Sequence, residues 1–175
     1  MAYTSSQVVQ AVPVPAGIIQ VKSGILTSTF SVVCSLGVFS AVTGLTVTIT
    51  PTSASNKILL LGTVNAVDAG ATTQGTNAIF TGGNTADYRG DAGGNRTRSA
   101  TSMNNSNNYY APTQSLMYLD SPATTSAITY GISVTYNSDG SATDTVFVNR
   151  GASEPNNTAY EVRNASTITA IEVIP

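Results

Sequence analysis

A strict alternation of aliphatic and hydroxyl residues constrains this chain more than any other feature. Between Gly44 and Pro51, Leu45, Val47 and Ile49 take every second position while Thr46, Thr48 and Thr50 fill the gaps. Side chains of a β-strand point to opposite faces with a period of two, so such a segment has one apolar face and one hydroxyl face. The pattern returns at Ile128, Tyr130, Ile132, Val134 and Tyr136, and again at Val146 and Val148. No segment carries an apolar period of 3.6, so helices are expected to be short or missing. The chain reads as all-β, a sandwich or barrel.

Composition narrows the class. A length of 175 residues suits one domain, which would bury roughly 70% of the surface of its unfolded chain. Charged residues make up 9% of the sequence against the usual ~25%, and 26 Thr and 20 Ser stand in their place. Disorder is not the reading, because β-branched Thr sits inside the alternating runs. With a net charge of -2, and only Arg96 and Arg98 close together, nothing supplies the clustered cations that nucleic acid requires. Cys34, the single cysteine, shares the phase of Phe30 and Val32 and reads as a small buried hydrophobe. No basic leader with an apolar run opens the sequence, and no stretch approaches ~18 apolar residues. Neither export nor a membrane partner is expected. An exterior-looking β-protein made in a cytoplasm points to a particle assembled inside a cell, such as a virus.

Along the chain, 1–16 read as an extended N-terminal arm, because Pro13 and Pro15 hold Val8, Val9, Val12 and Val14 in extended geometry. The remainder, 17–175, reads as one β-sandwich domain with about ten strands: 17–22, 28–34, 37–42, 45–50, 57–66, 76–80, 113–119, 127–136, 145–149 and 166–174. Two of them break the alternation. Ile58-Leu59-Leu60-Leu61 and Leu116-Met117-Tyr118-Leu119 are apolar on consecutive residues, so both of their faces need cover. Subunit packing at Leu59, Leu61, Met117 and Leu119 would supply it; a loop or the arm of the same chain is the alternative. In the last strand Ile168 and Ala170 lie on one phase and Ile171 and Val173 on the other, which implies a bulge or two buried faces. Glu172, alone among them, is expected at a solvent gap or subunit junction. The stretch from about 67 to 112 is rich in Gly, Asn and Thr, and is expected to hold one or two short strands and exposed loops.

The usual chemistry is scarce. Without histidine there is no imidazole base, and no spacing nominates a carboxylate pair, so the chain does not read as an enzyme. One cysteine and no histidine leave no zinc site, and Asn137, Asp139 and Asp144 read as a hairpin turn rather than a calcium loop. No cofactor is expected. Arg89-Gly90-Asp91 reads as a chance tripeptide. Tyr109 and Tyr110, in an Asn-rich stretch with Tyr88 nearby in sequence, suit glycan or receptor contact, or else packing along a strand or across a subunit seam.

The segments TFSVV, VTGLTVTITPTSASNKILLLG, DAGGNRTR, LDSPATTSAITYGISV, TVFVNR and ASTITAIEV together resemble a family of β-rich proteins encoded by tailed phages and aquatic viruses. Its members are trimeric jelly-roll or tumour-necrosis-factor-like modules found as tail-fibre tips, head fibres and capsid decoration proteins. The resemblance runs from about Gly17 to Val173. It rests on Gly44 and Pro51 around a strand, Lys57 opening the next, Asp120-Ser121-Pro122, Asn149-Arg150 and Tyr160, positions that imply turns and inter-strand contacts. It implies a trimeric, jelly-roll-like antiparallel β-sandwich in the virion. The expected function is that of a capsid decoration, or cement, protein stabilising a phage head, in contact with the major capsid protein or another virion protein. The alternative is a fibre tip recognising host surface polysaccharide through loops in 67–112. The arm would attach the domain to the particle.

Overall fold

The computed structural model describes residues 17–70, 75–104, 108–137, 141–153 and 162–175; the expected arm with Val8, Val9, Val12 and Val14, the turn residue Asp139, and Tyr160 lie outside them. Among the described residues the chain forms ten strands and one single-turn 3-10 helix. They are β1 (Ile18–Leu26), β2 (Phe30–Ser35), β3 (Ser40–Ile49), β4 (Lys57–Asp68), β5 (Gly75–Thr81), η1 (Thr85–Asp87), β6 (Thr101–Asn104), β7 (Thr113–Asp120), β8 (Ile128–Asn137), β9 (Thr143–Val148) and β10 (Ser166–Val173). The fold is all-β, and every pairing is antiparallel.

Two sheets share one core. The first runs β1-β10-β4-β9-β2 with β7 on the other edge of β4, and the second runs β3-β8-β5-β6. β4 is long enough to take two partners in succession: β10 pairs with Lys57 to Thr63, and β9 with Ala66 to Asp68. This handover bends the first sheet, and the antiparallel sheets form a curled half-barrel. The alternating residues behave as their period demands. Leu45, Val47 and Ile49 of β3, and Tyr130, Ile132, Val134 and Tyr136 of β8, point inward against Ile58, Leu60, Val64, Phe80, Val146, Val148, Ile168 and Ala170. Cys34 is wholly buried in this core, and burial pushes its thiol pKa up.

Two expected strands merge. The segments 37–42 and 45–50 are one strand, β3, whose pairing to β8 shifts between Ala41 and Thr46 around Gly44 at φ +86°. An irregularity of this kind re-aims a strand without ending it, which periodicity alone reads as a break. β10, in contrast, pairs with β4 without interruption from Thr167 to Val173. The bulge is in its other neighbour, β1, between Ile18 and Gln20. Ile168 and Ala170 therefore face the core while Ile171 and Val173 lie half-buried on the opposite face.

A buried polar network pins the handover on β4. Asn149 adopts φ +61°, a left-handed geometry that Asn tolerates better than most residues, and its Nδ2 donates to the carbonyls of Leu26 (2.7 Å) and Ser28 (3.0 Å). Its Oδ1 accepts from Ser166 Oγ at 2.6 Å, and that hydroxyl in turn accepts from Asn65 N–H at 3.0 Å. The ends of β1, β9 and β10, the body of β4 at Asn65 and the β1–β2 turn are thereby tied together.

At the seam between the sheets β1 crosses β3 so closely that a Cβ on Gly24 would lie 2.1 Å from the Thr46 carbonyl oxygen. Gly24→Ala should therefore force the seam apart and lower stability by about 1–3 kcal/mol. Urea denaturation will check this; an unchanged midpoint would show that the seam yields freely.

Candidate functional site

The two sheets treat their outward faces differently. On the second sheet the outward residues Asn77 and Ile79 of β5 and Ser133 and Thr135 of β8 are all buried. Other parts of the same chain bury them; the Ser35 carbonyl at the end of β2 accepts from Thr135 Oγ1 at 3.4 Å. The connection from η1 to β6 is laced by Gly90 N–H to Ser99 O (3.0 Å) and Ala100 N–H to Ala78 O (3.1 Å), and Arg89 lies over the Phe39 ring at 5.7 Å. The stretch from about 67 to 112 holds the short strands β5 and β6, and the connection between them is mostly exposed from Gly90 to Arg98, with Gly90 and Asp91 of the Arg89-Gly90-Asp91 tripeptide at the surface.

On the first sheet the register leaves an apolar face uncovered by the described chain. Across β1, β10, β4 and β7, Val21, Ile171, Leu59 and Leu119 align in one row; Ser23, Thr169, Leu61 and Met117 form the next; and Ile25, Thr167, Thr63 and Ser115 form the third. None of these twelve residues is charged. Met117 is 62% exposed, Leu119 45% and Leu61 39%, although their neighbours Leu60 and Leu116 are fully inside. A shallow depression of about 550 Å³ opens between Leu61, Thr63, Ser115, Met117, Thr167 and Thr169, with the backbone of Gly62 beneath. Strand spacing and rise give the three rows an area on the order of a few hundred Å², comparable to the largest patch on an ordinary monomer, a patch that often serves as a contact surface. The sequence nominated Leu59, Leu61, Met117 and Leu119, and the structure brings all four together. Val21, Ile25 and Ile171 were missed as members of the face, since only the β1-β10-β4 strand order places them there.

The tyrosines do not form one site. Tyr109 and Tyr110 are exposed, but they sit in a turn rather than along a strand; Ala152 N–H reaches Asn108 O at 2.8 Å and so binds that turn to the segment after β9. Tyr88 is apart from them, stacked between Phe80 at 6.2 Å and Tyr118 at 5.0 Å, and it lines the depression beside Met117 and Leu61. Asn137 exchanges side-chain bonds with Asn77, and no group of three or more metal-ligating residues gathers among the described residues.

Glu172 is not at a solvent gap. It is fully buried, and its carboxylate accepts from Thr52 N–H (2.7 Å), Thr52 Oγ1 (2.8 Å), Asn56 Nδ2 (2.7 Å) and Gln20 Nε2 (2.6 Å). The expectation failed because it judged the charge by its own strand, whereas the donors come from the β3–β4 turn and from β1. A second carboxylate, Asp120, accepts the Tyr130 hydroxyl at 2.6 Å and the Asn84 N–H at 3.2 Å. Burial, with the Asp120 carboxylate beside it, drives the Tyr130 pKa up, so the phenol keeps its proton. Both carboxylates fasten turns to the sandwich.

Burial alone would raise the Glu172 pKa, but the hydrogen bonds from Asn56, Gln20 and Thr52 outweigh it and hold the carboxyl at about 2, below its ordinary 4.5. Its contribution is complete above pH 4.5 and is lost as pH falls toward 2. Glu172→Gln should cost roughly 1–3 kcal/mol at pH 7, because the amide replaces one acceptor oxygen with an NH2 group that faces other donors. The stability gap to the parent should close between pH 4.5 and 2, as followed by urea denaturation across that range.

No family model matches this chain, and no curated protein matches it, so the reading of the uncovered face rests on its own chemistry.

Proposed function

We propose that this chain is a viral structural protein: a trimeric, jelly-roll-like β-sandwich that decorates a phage head and cements it. The observation that carries the reading is the contrast between the two outward faces. The outward residues of one sheet are buried within the chain itself, while the other sheet keeps an uncharged, largely apolar stripe. A rotation axis brings the same patch of several copies near one point, where any charge would meet its like. A stripe without charge tolerates that apposition, and burying it at ~25 cal/mol per Å² favours assembly.

Strand order supports the jelly-roll part. Setting β2 and β9 aside as an added pair, the other eight strands pair first with last: β1 with β10, β3 with β8, β4 with β7, and β5 with β6. A long antiparallel hairpin rolled into two four-stranded sheets, as in a jelly roll, would pair its strands in this way. A trimer would match the local threefold positions of an icosahedral shell. Its work there is mechanical, since whatever binds the assembled state and not the dissociated one stabilises it. The arm with Val8, Val9, Val12 and Val14 would hold the domain to the major capsid protein or another virion protein. Such a protein is made in the host cytoplasm, acts in the virion and needs no cofactor.

The exposed Tyr109–Tyr110 pair favours a second reading, a fibre tip that touches host surface glycan. Copy number separates the two: hundreds per particle fit decoration, and a few dozen fit a fibre.

Sedimentation of the wild-type protein should give a trimer. Met117→Asp combined with Leu119→Asp should raise its dissociation constant at least ~30-fold, the ~2 kcal/mol of an interface hot spot, with the circular dichroism unchanged. A monomeric wild type ends the proposal. Deleting 1–16 should abolish particle binding while leaving the trimer intact.

A further inference from the structure

A second apolar feature lies away from that face. β2 ends in a tight turn in which Val38 N–H donates to Ser35 O at 3.0 Å, with Gly37 at φ +72° supplying the left-handed residue that a type II turn needs. Turn tips are ordinarily polar, because their backbone and side chains face water. This one presents Leu36 at 48% exposure and Val38 at 58%, with Val33 on the adjoining strand at 66%. No residue from Thr27 to Ser40 is charged.

The connection from η1 to β6 brings cations to the same corner. A Cβ on Gly37 would lie 3.2 Å from Thr97 Oγ1, and Thr97 is flanked by exposed Arg96 and Arg98. Both guanidinium groups are steadied by their own loop: Arg96 Nη1 donates to Gly93 O (3.0 Å) and Arg98 Nε to Gly90 O (2.6 Å). A guanidinium has five N–H donors, so each retains the capacity to bind a carboxylate as well. Two segments some sixty residues apart in sequence, 33–38 and 96–98, thus converge on an aliphatic finger beside an arginine pair.

We propose that this corner docks into an apolar groove with an acidic rim on the shell protein of the virion. The inference rests on the decoration reading and names a contact that the arm does not supply. The uncovered face of a second copy is a poor match, because its three rows hold no carboxylate to meet Arg96 and Arg98. An anionic bilayer is disfavoured too, since a chain of net charge -2 with two clustered arginines is repelled more than it is drawn.

The test uses the full chain and particles assembled without it. Leu36→Asp combined with Val38→Asp should keep the parent's circular dichroism and trimer, and should weaken particle binding on the order of tenfold or more. Arg96→Gln combined with Arg98→Gln should weaken binding at low salt and flatten its salt dependence. If the aspartate variant misfolds, the arginine variant decides the matter. Wild-type affinity in both variants overturns this corner as a contact and leaves the decoration reading standing. Failure of the wild-type chain to bind particles removes both. Binding to phosphatidylglycerol vesicles that the same substitutions abolish would identify lipid as the partner and overturn the shell contact.

Discussion

β4 is the strand that the rest of the protein depends on, because its backbone must be hydrogen-bonded along both edges over twelve residues. β7 satisfies one edge, and the other is divided between β10 and β9. That division determines the curl of the first sheet, and the curl determines where β1 and β2 run and how closely Gly24 meets Thr46. The polar network of Asn149, Ser166 and Asn65 is at the point of division, where strand ends would otherwise leave backbone groups unmatched in the interior.

The same strand explains why one outward face is bare and apolar. From Asn65 onward β4 is buried on both sides, whereas Leu59 and Leu61 have neighbours but no cover. Row by row, the face changes from aliphatic at Val21, Ile171, Leu59 and Leu119 to hydroxyl at Thr167, Thr63 and Ser115. It is graded rather than uniformly greasy. Such grading keeps the free chain from aggregating, which a large uniform apolar patch invites.

Much of the fold was legible because period-two patterning is local. Leu45, Val47 and Ile49, and the run from Ile128 to Tyr136, state their inward faces without any partner. The double-apolar runs at Leu59, Leu61, Met117 and Leu119 announced a second face for the same reason. What stayed hidden depends on strand order or on long-range partners. Ile25 and Ile171 join the face only when β1 is known to lie beside β10. Glu172 looks misplaced until Thr52 and Asn56, well over a hundred residues upstream, arrive with their donors. The merger of two expected strands into β3 followed from Gly44, which reads as a stop when seen alone and proves to be a kink.

Cys34 has a consequence for the conditions this protein can endure. Its thiol is sealed in the core, its raised pKa withholds the reactive thiolate, and the chain contains no second sulfhydryl to pair with. Oxidants that would cross-link or sulfenylate an accessible cysteine find no purchase, and reductants find no bridge to break. Disulfide and thiol chemistry therefore leave this scaffold untouched. Among the described residues the sulfur within an oxidant's reach is instead the thioether of Met103 and of Met117, and a sulfoxide at Met117 would put a polar group on the uncovered face.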